Sequence, residues 1–378
     1  MQPPAAQLPR PQAARSEDIR PTLFAPVGPF RNPGATGHGL PNSNQDQRHA
    51  ISHSPPEPVT PATPAFDRRA IPASAQEGWW DLPDGHKVRR IDWASDAAQP
   101  RGSILFMPGR GDHYEKYLES LDEWHRAGWQ VTAADWRGQA ASGRLGADKV
   151  TGHIDDFSTW IDDLAALWAD WKSQSPGPHV LIAHSMGGHL ALRAVEEGRI
   201  DPDAVALSAP MLGFFGQILP GAIMHGAARL MANLGDPRRP AWKWSEKPGE
   251  MPAGRLRLLT HHDERYADEL WWREKRPELV MGPGSWRWVE RAYASMRGLF
   301  EPGKLESVET PFLLVGTTND KLVDMGAIQE AAKRLPHGEL LEFGKEAHHE
   351  ILREVDPVRD RAMQGIQEFL DRVAPAES

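Results

Sequence analysis

The sequence predicts an α/β fold: a mostly parallel central sheet, helices on both of its faces, and a helical cap inserted into it. Three observations carry that expectation. From about residue 75, short apolar runs alternate with amphipathic helical stretches. Several of those runs, such as Ser103–Met107 and Phe312–Gly316, are apolar without alternation, which suits strands covered on both faces. The alternation then stops between about 212 and 308, where no strand series is visible.

Val88–Trp93 reads as an early strand, and Ser103–Met107 as a buried strand closed by Pro108-Gly109. Tyr114–Ala127 has helical spacing, and Gln130–Ala134 is again a strand. A long helix is expected over 154–172, where Phe157, Ile161, Leu164, Leu167 and Trp168 recur on one face. His179–His184 is a strand followed by a helix over 186–198. Ala204–Ser208, Phe312–Gly316 and Glu339–Phe343 complete the strands, and 357–373 is the last helix. Strands separated by helices pair in parallel through right-handed crossovers. The sheet core is therefore expected in two parts, 73–211 and 309–378, with 212–308 as the cap. That insertion is rich in tryptophan, with Trp242, Trp244, Trp271, Trp272, Trp286 and Trp288.

Residues 1–72 hold 15 of the 34 prolines, and Gly, Ser, Asn and Gln fill the gaps. Such a segment buries too little apolar surface to offset chain entropy, so a disordered Pro-rich tail is expected. The net charge of −9 argues against a general nucleic-acid binder, which needs a basic face. The absence of cysteine excludes disulfides and thiol catalysis, and a reducing cytosol fits. The early prolines leave no room for the apolar stretch of a secretory signal. A cytoplasmic protein is expected, with peripheral contact at a membrane as a further expectation. The composition sets no oligomeric state.

The motif Ala183-His184-Ser185-Met186-Gly187-Gly188 follows a strand and opens a helix. That context gives a Gly-x-Ser-x-Gly pattern its meaning: the serine sits on a tight turn at the carboxyl edge of the sheet. The start of the helix aims its N–H groups at developing negative charge, so the Met186 N–H is a candidate oxyanion donor. A second donor is expected from the loop after the third strand, where the Arg110 N–H is the candidate. The Arg110 side chain is suited either to an anionic head group or to pairing with Asp112.

A serine hydroxyl needs a base, and in this strand–turn–helix context the chain order is Ser, then an acid, then His. Asp320 and Asp324 both follow the strand FLLVG. Asp324 looks like the cap of the next helix, which leaves Asp320 as the preferred acid. His348 and His349 both follow the strand ELLEF. The segment HEILR lacks the second histidine of H-E-x-x-H, so no metal or other cofactor is expected. His261-His262-Asp263 reads as surface.

Taken together, PGRGDHYEKY (108–117), DWRGQAASG (135–143), HSMGGH (184–189), NDKLVD (319–324) and HHEIL (348–352) resemble one family group. It is the group of α/β-hydrolases containing monoacylglycerol lipases, bacterial lysophospholipases and the serine aminopeptidase family. The likeness spans about 75–374. It implies Ser185 as nucleophile, Asp320 as acid and His349, rather than His348, as base, with Arg110 and Met186 as oxyanion donors. It also implies a helical cap after the sixth strand. Three departures stand out: Pro108-Gly109 in place of a His-Gly pair, Ala183 before His184, and Ala140 where a second glycine is expected.

The function expected is a serine hydrolase acting on a carboxylic ester, a small molecule and specifically a monoacyl lipid, in the manner of a lysophospholipase or monoacylglycerol lipase. Phe214, Phe215 and Ile218 begin an apolar stretch suited to an acyl pocket or to a membrane surface. The alternatives are an aminopeptidase or amidase on the same residues, and a binding protein that keeps the fold without catalysis.

Overall fold

The computed structural model describes residues 66–217, 219–243 and 253–376. Eight strands form one sheet: β1 (Ala75–Asp81), β2 (Lys87–Trp93), β3 (Ser103–Met107), β4 (Gln130–Ala134), β5 (His179–His184), β6 (Ala204–Ser208), β7 (Phe312–Thr317) and β8 (Gly338–Phe343). Their spatial order is β1-β2-β4-β3-β5-β6-β7-β8. From β4 to β8 every pairing is parallel, and β2 runs antiparallel to both of its neighbours. The sheet is thus mostly parallel, with an antiparallel edge. Strand β1 has no counterpart among the sequence expectations. Its residues AQEGWWD are largely exposed at the sheet edge, and Trp80 is its buried side chain.

The central strands divide their side chains by alternation. Ile104, Phe106, Val180 and Ile182 enter one core, and Leu105, Met107, Leu181 and Ala183 enter the other. Helices α1 (Leu118–Arg126) and α9 (Asp356–Val373) cover the first face through Leu121, Trp124, Ile366 and Phe369. Helices α2 (Ser158–Gln174), α3 (Ser185–Glu196) and α8 (Met325–Arg334) cover the second through Leu164, Leu190 and Ile328. Fully burying a Leu, Ile or Phe contributes about 1.5–3 kcal/mol, so these two cores hold the sheet edge rigidly. The stretch expected as one helix over Tyr114–Ala127 begins as a 3-10 turn, Tyr114–Tyr117, before α1. The helix expected from 154 starts at Ser158, because the Asp156 carboxylate accepts the Ser158 N–H and makes a turn there.

Between β6 and β7 lie α4 (Gly221–Asn233), α5 (Ala253–Leu259), α6 (Asp263–Lys275) and α7 (Trp286–Leu299). No strand interrupts them among the described residues. Helix α7 joins the α2–α3 core through Trp288, Ala292 and Met296. Trp244 lies outside the described residues.

The tail expected over 1–72 is corrected at its end. Residues 1–65 lie outside the described residues, but 66–72 lie on the core. Phe66 and Ile71 pack against the α1–α9 face. Arg68 and Arg69 both donate to the Asp268 carboxylate, each at 2.6 Å. Those contacts offset the backbone entropy lost in ordering residues 66–72. Among the described residues no helix is long and apolar enough to cross a membrane.

Candidate active site

The turn from β5 into α3 places Ser185 at φ +51°, in the left-handed region. A residue other than glycine held there costs about 1–3 kcal/mol, which the packed strand and helix on either side must sustain. The turn has no spare room. A Cβ at position 187 would lie 2.4 Å from the Pro108 carbonyl oxygen, so that position requires Gly187. A Cβ at 188 would meet Pro210 at 2.9 Å. Ala183, which departs from the glycine of the pattern, is accommodated as a fully buried strand residue. Ala140, the other departure, sits at φ +45°, a conformation that glycine adopts without strain.

Three side chains expected to act together are brought together. The Ser185 Oγ lies 3.0 Å from His349 Nε2, and His349 Nδ1 lies 2.7 Å from Asp320 Oδ2. An ionised carboxylate only accepts, so Nδ1–H donates to Asp320 and Nε2 is left to accept the serine proton. Burial disfavours the imidazolium of His349, but the adjacent Asp320 charge and hydrogen bond outweigh it and raise the pKa above 6.5. Burial likewise opposes the Asp320 carboxylate. The His349 charge and the N–H groups of Leu322 and Val323, at 2.7 and 3.0 Å from Oδ1, hold its pKa below the usual value.

The competing residues do other work. Asp324 caps α8 by accepting the Gly326 N–H at 2.9 Å. His348 stacks on His261 at 3.8 Å and accepts from Asn319 Nδ2 at 3.1 Å. His261 bonds Glu354, and His262 caps α6. His184 donates from Nδ1 to the Ser208 carbonyl. Burial and the neighbouring His349 hold its pKa down at about 4, so it stays neutral.

The loop after β3 runs directly beside the serine: a Cβ on Gly109 would stand 3.0 Å from that of Ser185. Met186 is the second residue of α3, in the first turn where helical N–H groups have no intrahelical partner. Of the two roles expected for the Arg110 side chain, pairing with Asp112 is not the contact it makes here. Its Nη2 donates to the Gly282 carbonyl at 2.7 Å, and its guanidinium lies 5.1 Å from the ring centres of both Trp242 and Trp288.

These groups open into a cavity of about 760 Å³ between the sheet edge and the cap. Much of its wall is apolar, including Met211, Phe214, Leu258, Trp286, Trp288 and Val289. Phe214 is in that wall and packs edge-on to Tyr293. Phe215 is not: it is 48% exposed, under the ammonium of Lys321 at 4.7 Å. Phe214 lies in an extended bridge to Val323 and Phe215 opens the turn that follows, so the adjacent phenylalanines face different ways. Ile218 lies outside the described residues.

One feature of the site had no sequence signal. Asp112 and Glu350 line the cavity, and the buried Lys116 ammonium reaches both, at 2.5 Å each, and Glu269 at 3.1 Å. Arg353 bonds Glu269 and Glu350 from the other side. Burial opposes each of these charges, but their mutual pairing holds Asp112 and Glu350 below the usual carboxylate range. In sequence they look like ordinary surface charges.

Residues 98–356 match the family model described as serine aminopeptidase, S33. The chain is 31% identical over 286 residues to lysophospholipase L2 of Escherichia coli K12, covering 71% of this chain and 80% of that protein. It is 25% identical over 274 residues to a probable lysophospholipase L2 of Haemophilus influenzae, covering 72% and 84%. A soluble variant of the Saccharomyces cerevisiae monoglyceride lipase, solved with a substrate analogue, superposes with a TM-score of 0.64 at 17% identity, covering 82% of this chain and 98% of that one. That last likeness bears on the fold. With the family match and the first relative beside it, the chain belongs to the serine aminopeptidase S33 family, as a carboxylic ester hydrolase with the α/β-hydrolase fold.

Proposed function

We propose that this chain hydrolyses monoacyl lipid esters, lysophospholipids foremost, with Ser185 as nucleophile, His349 as base and Asp320 as its orienting acid. The observation that carries the reading is the hydrogen-bonded run Asp320–His349–Ser185 opening into a large, mostly apolar cavity. His349 Nε2 takes the serine proton as Oγ attacks the acyl carbonyl carbon. The Met186 and Arg110 N–H groups receive the oxyanion; one such donor is worth about 3 kcal/mol. The bond to the leaving alcohol then breaks, and the alcohol oxygen takes the proton back from His349. Water repeats the sequence on the acyl-serine and frees the fatty acid.

An apolar acyl chain matches the aromatic and aliphatic wall. The relatives named lysophospholipase L2 support a phosphate-bearing substrate. An aminopeptidase needs an acid for the substrate's ammonium. Asp112 and Glu350 are instead bonded to Lys116, which favours the ester. Residues of and around α4 support contact with a lipid surface: Leu219, Ile223, Leu230 and Leu234 are exposed.

The test is labelling with a fluorophosphonate, followed by a substrate series. Wild type is expected to label and Ser185→Ala to stay unlabelled. Turnover of p-nitrophenyl esters is expected to rise with acyl length, and a lysophospholipid to be cleaved faster than the matching monoacylglycerol. Equal labelling of both proteins removes Ser185 from its role. Cleavage of aminoacyl anilides without esters assigns the peptidase reading, and no turnover by folded protein assigns the binding-protein reading.

A further inference from the structure

We infer that Gln139 is a positioning residue that sets the direction of the oxyanion donor at Arg110; the inference rests on the reading of Ser185 as nucleophile. Gln139 is buried, and its own backbone is held in a tight turn. Its N–H donates to the Trp136 carbonyl at 2.9 Å, and its carbonyl accepts from Ser142 at 2.8 Å. From that turn the side-chain amide reaches both segments that carry the donors. Oε1 accepts the Gly111 N–H at 2.7 Å, and Nε2 points to Met186 Sδ at 3.9 Å.

The geometry of the loop explains why this matters. Each peptide unit is planar, so the chain turns only at its α-carbons. The Gly111 N–H belongs to the Arg110–Gly111 plane, which Gln139 anchors. The Gly109 N–H belongs to the Pro108–Gly109 plane, which Asp112 Oδ2 anchors at 3.2 Å. The plane between them carries the Arg110 N–H and is held from both ends. The carbonyl of that plane, on Gly109, also accepts the Asp112 N–H at 3.4 Å, and the Gln139 bond adds to this contact by holding the next plane, where glycine restricts rotation least. Gly111 already sits at φ +71°. A neutral amide also suits the place: a carboxylate there would accept the same N–H but set a negative charge beside the oxyanion.

The experiment compares wild type with Gln139→Leu and Gln139→Glu, using a p-nitrophenyl ester and two inhibitors. A long-chain trifluoromethyl ketone adds Ser185 Oγ to its carbonyl carbon and needs the oxyanion site. Decanol fills the apolar cavity and does not. For Gln139→Leu, kcat is expected to fall about 10- to 100-fold, as for a small misplacement of a catalytic group, with KM within about twofold. The ketone should weaken by the same factor and decanol should not change. Should the leucine variant fail to fold, Gln139→Glu is expected to weaken the ketone adduct and leave decanol binding alone. An unchanged kcat in folded Gln139→Leu, or equal weakening of ketone and decanol in either variant, would overturn the inference. A wild-type protein that forms no ketone adduct refutes the Ser185 reading instead.

Discussion

The sheet edge and the cap face each other across one cavity, and they hold their residues in different ways. At the edge, hydrogen bonds to main chain aim each group. Asp320 is fixed by the N–H groups of Leu322 and Val323, and the loop after β3 by Asp112 and Gln139. Ser185 is fixed by a strained turn between a strand and a helix. In the cap, Trp288 and Tyr293 of α7 are set by apolar packing on the core, and Phe214 packs against both rings. Hydrogen bonds are directional and fail over fractions of an ångström, whereas apolar contact changes gradually with area. On the proposed function, bond-breaking therefore belongs to the edge and substrate choice to the cap.

The largest expected effect tests that division within a single loop. Asp320 and Asp324 are four residues apart, and only Asp320 bonds His349. Asp320→Asn is expected to lower kcat about 10⁴-fold on a p-nitrophenyl ester, by presenting the wrong imidazole tautomer to the serine. Asp324→Ala is expected to leave kcat within about twofold while lowering stability by about 1 kcal/mol through the lost cap on α8, read from a thermal melt. Comparable losses of kcat in both variants would mean that the loop acts as a unit.

The same contrast governs what could be read from the sequence. Strands β3, β5, β6 and β7 are legible because burial on both faces leaves uninterrupted apolar runs. The elbow is legible because its turn admits few residue types, as the crowding at Gly187 makes plain. Strand β1 is not, since a largely exposed edge strand with one buried side chain looks like loop. Gln139, Lys116 and Glu350 are not, because their partners lie far away in the chain or in another loop. Phe214 and Phe215 share one composition signal, and only the bridge of Phe214 to Val323, which ends as the turn begins at Phe215, decides which faces the cavity.

A smaller effect separates His349 from the other buried histidines. Burial pushes its pKa down, Asp320 pushes it up more, and the result lies above 6.5. Only the neutral ring accepts the serine proton, so kcat/KM is expected to fall about tenfold per unit below that pKa. The midpoint should lie above 6.5. His184, held at about 4, remains neutral across that limb and adds nothing to it. Stability runs the other way. A pKa raised on folding contributes stability that is complete below the unfolded value near 6.5 and lost as pH rises through the folded value. A pH–rate profile paired with thermal melts reads both. Trp288→Ala in the cap should leave the rate midpoint where it is; a shift there would show that the cap, too, sets the chemistry.

The smallest effect concerns the outer surface of the cap. Ile223 and Leu230 on α4 are 52% and 60% exposed, so water already covers much of their apolar area. Moving such a side chain into a lipid surface recovers part of the transfer energy, about 1 kcal/mol, which is roughly fivefold in partition. Leu230→Asp is therefore expected to lower sedimentation with phosphatidylcholine vesicles about fivefold, and to slow hydrolysis of vesicle-borne lysophospholipid by a similar factor. Hydrolysis of a short, water-soluble ester should stay within about twofold, because Leu230 lies outside the cavity wall. If the soluble ester slowed just as much, α4 would be supporting the cavity from behind. The division would then be between two parts of one active site, with no separate surface for lipid.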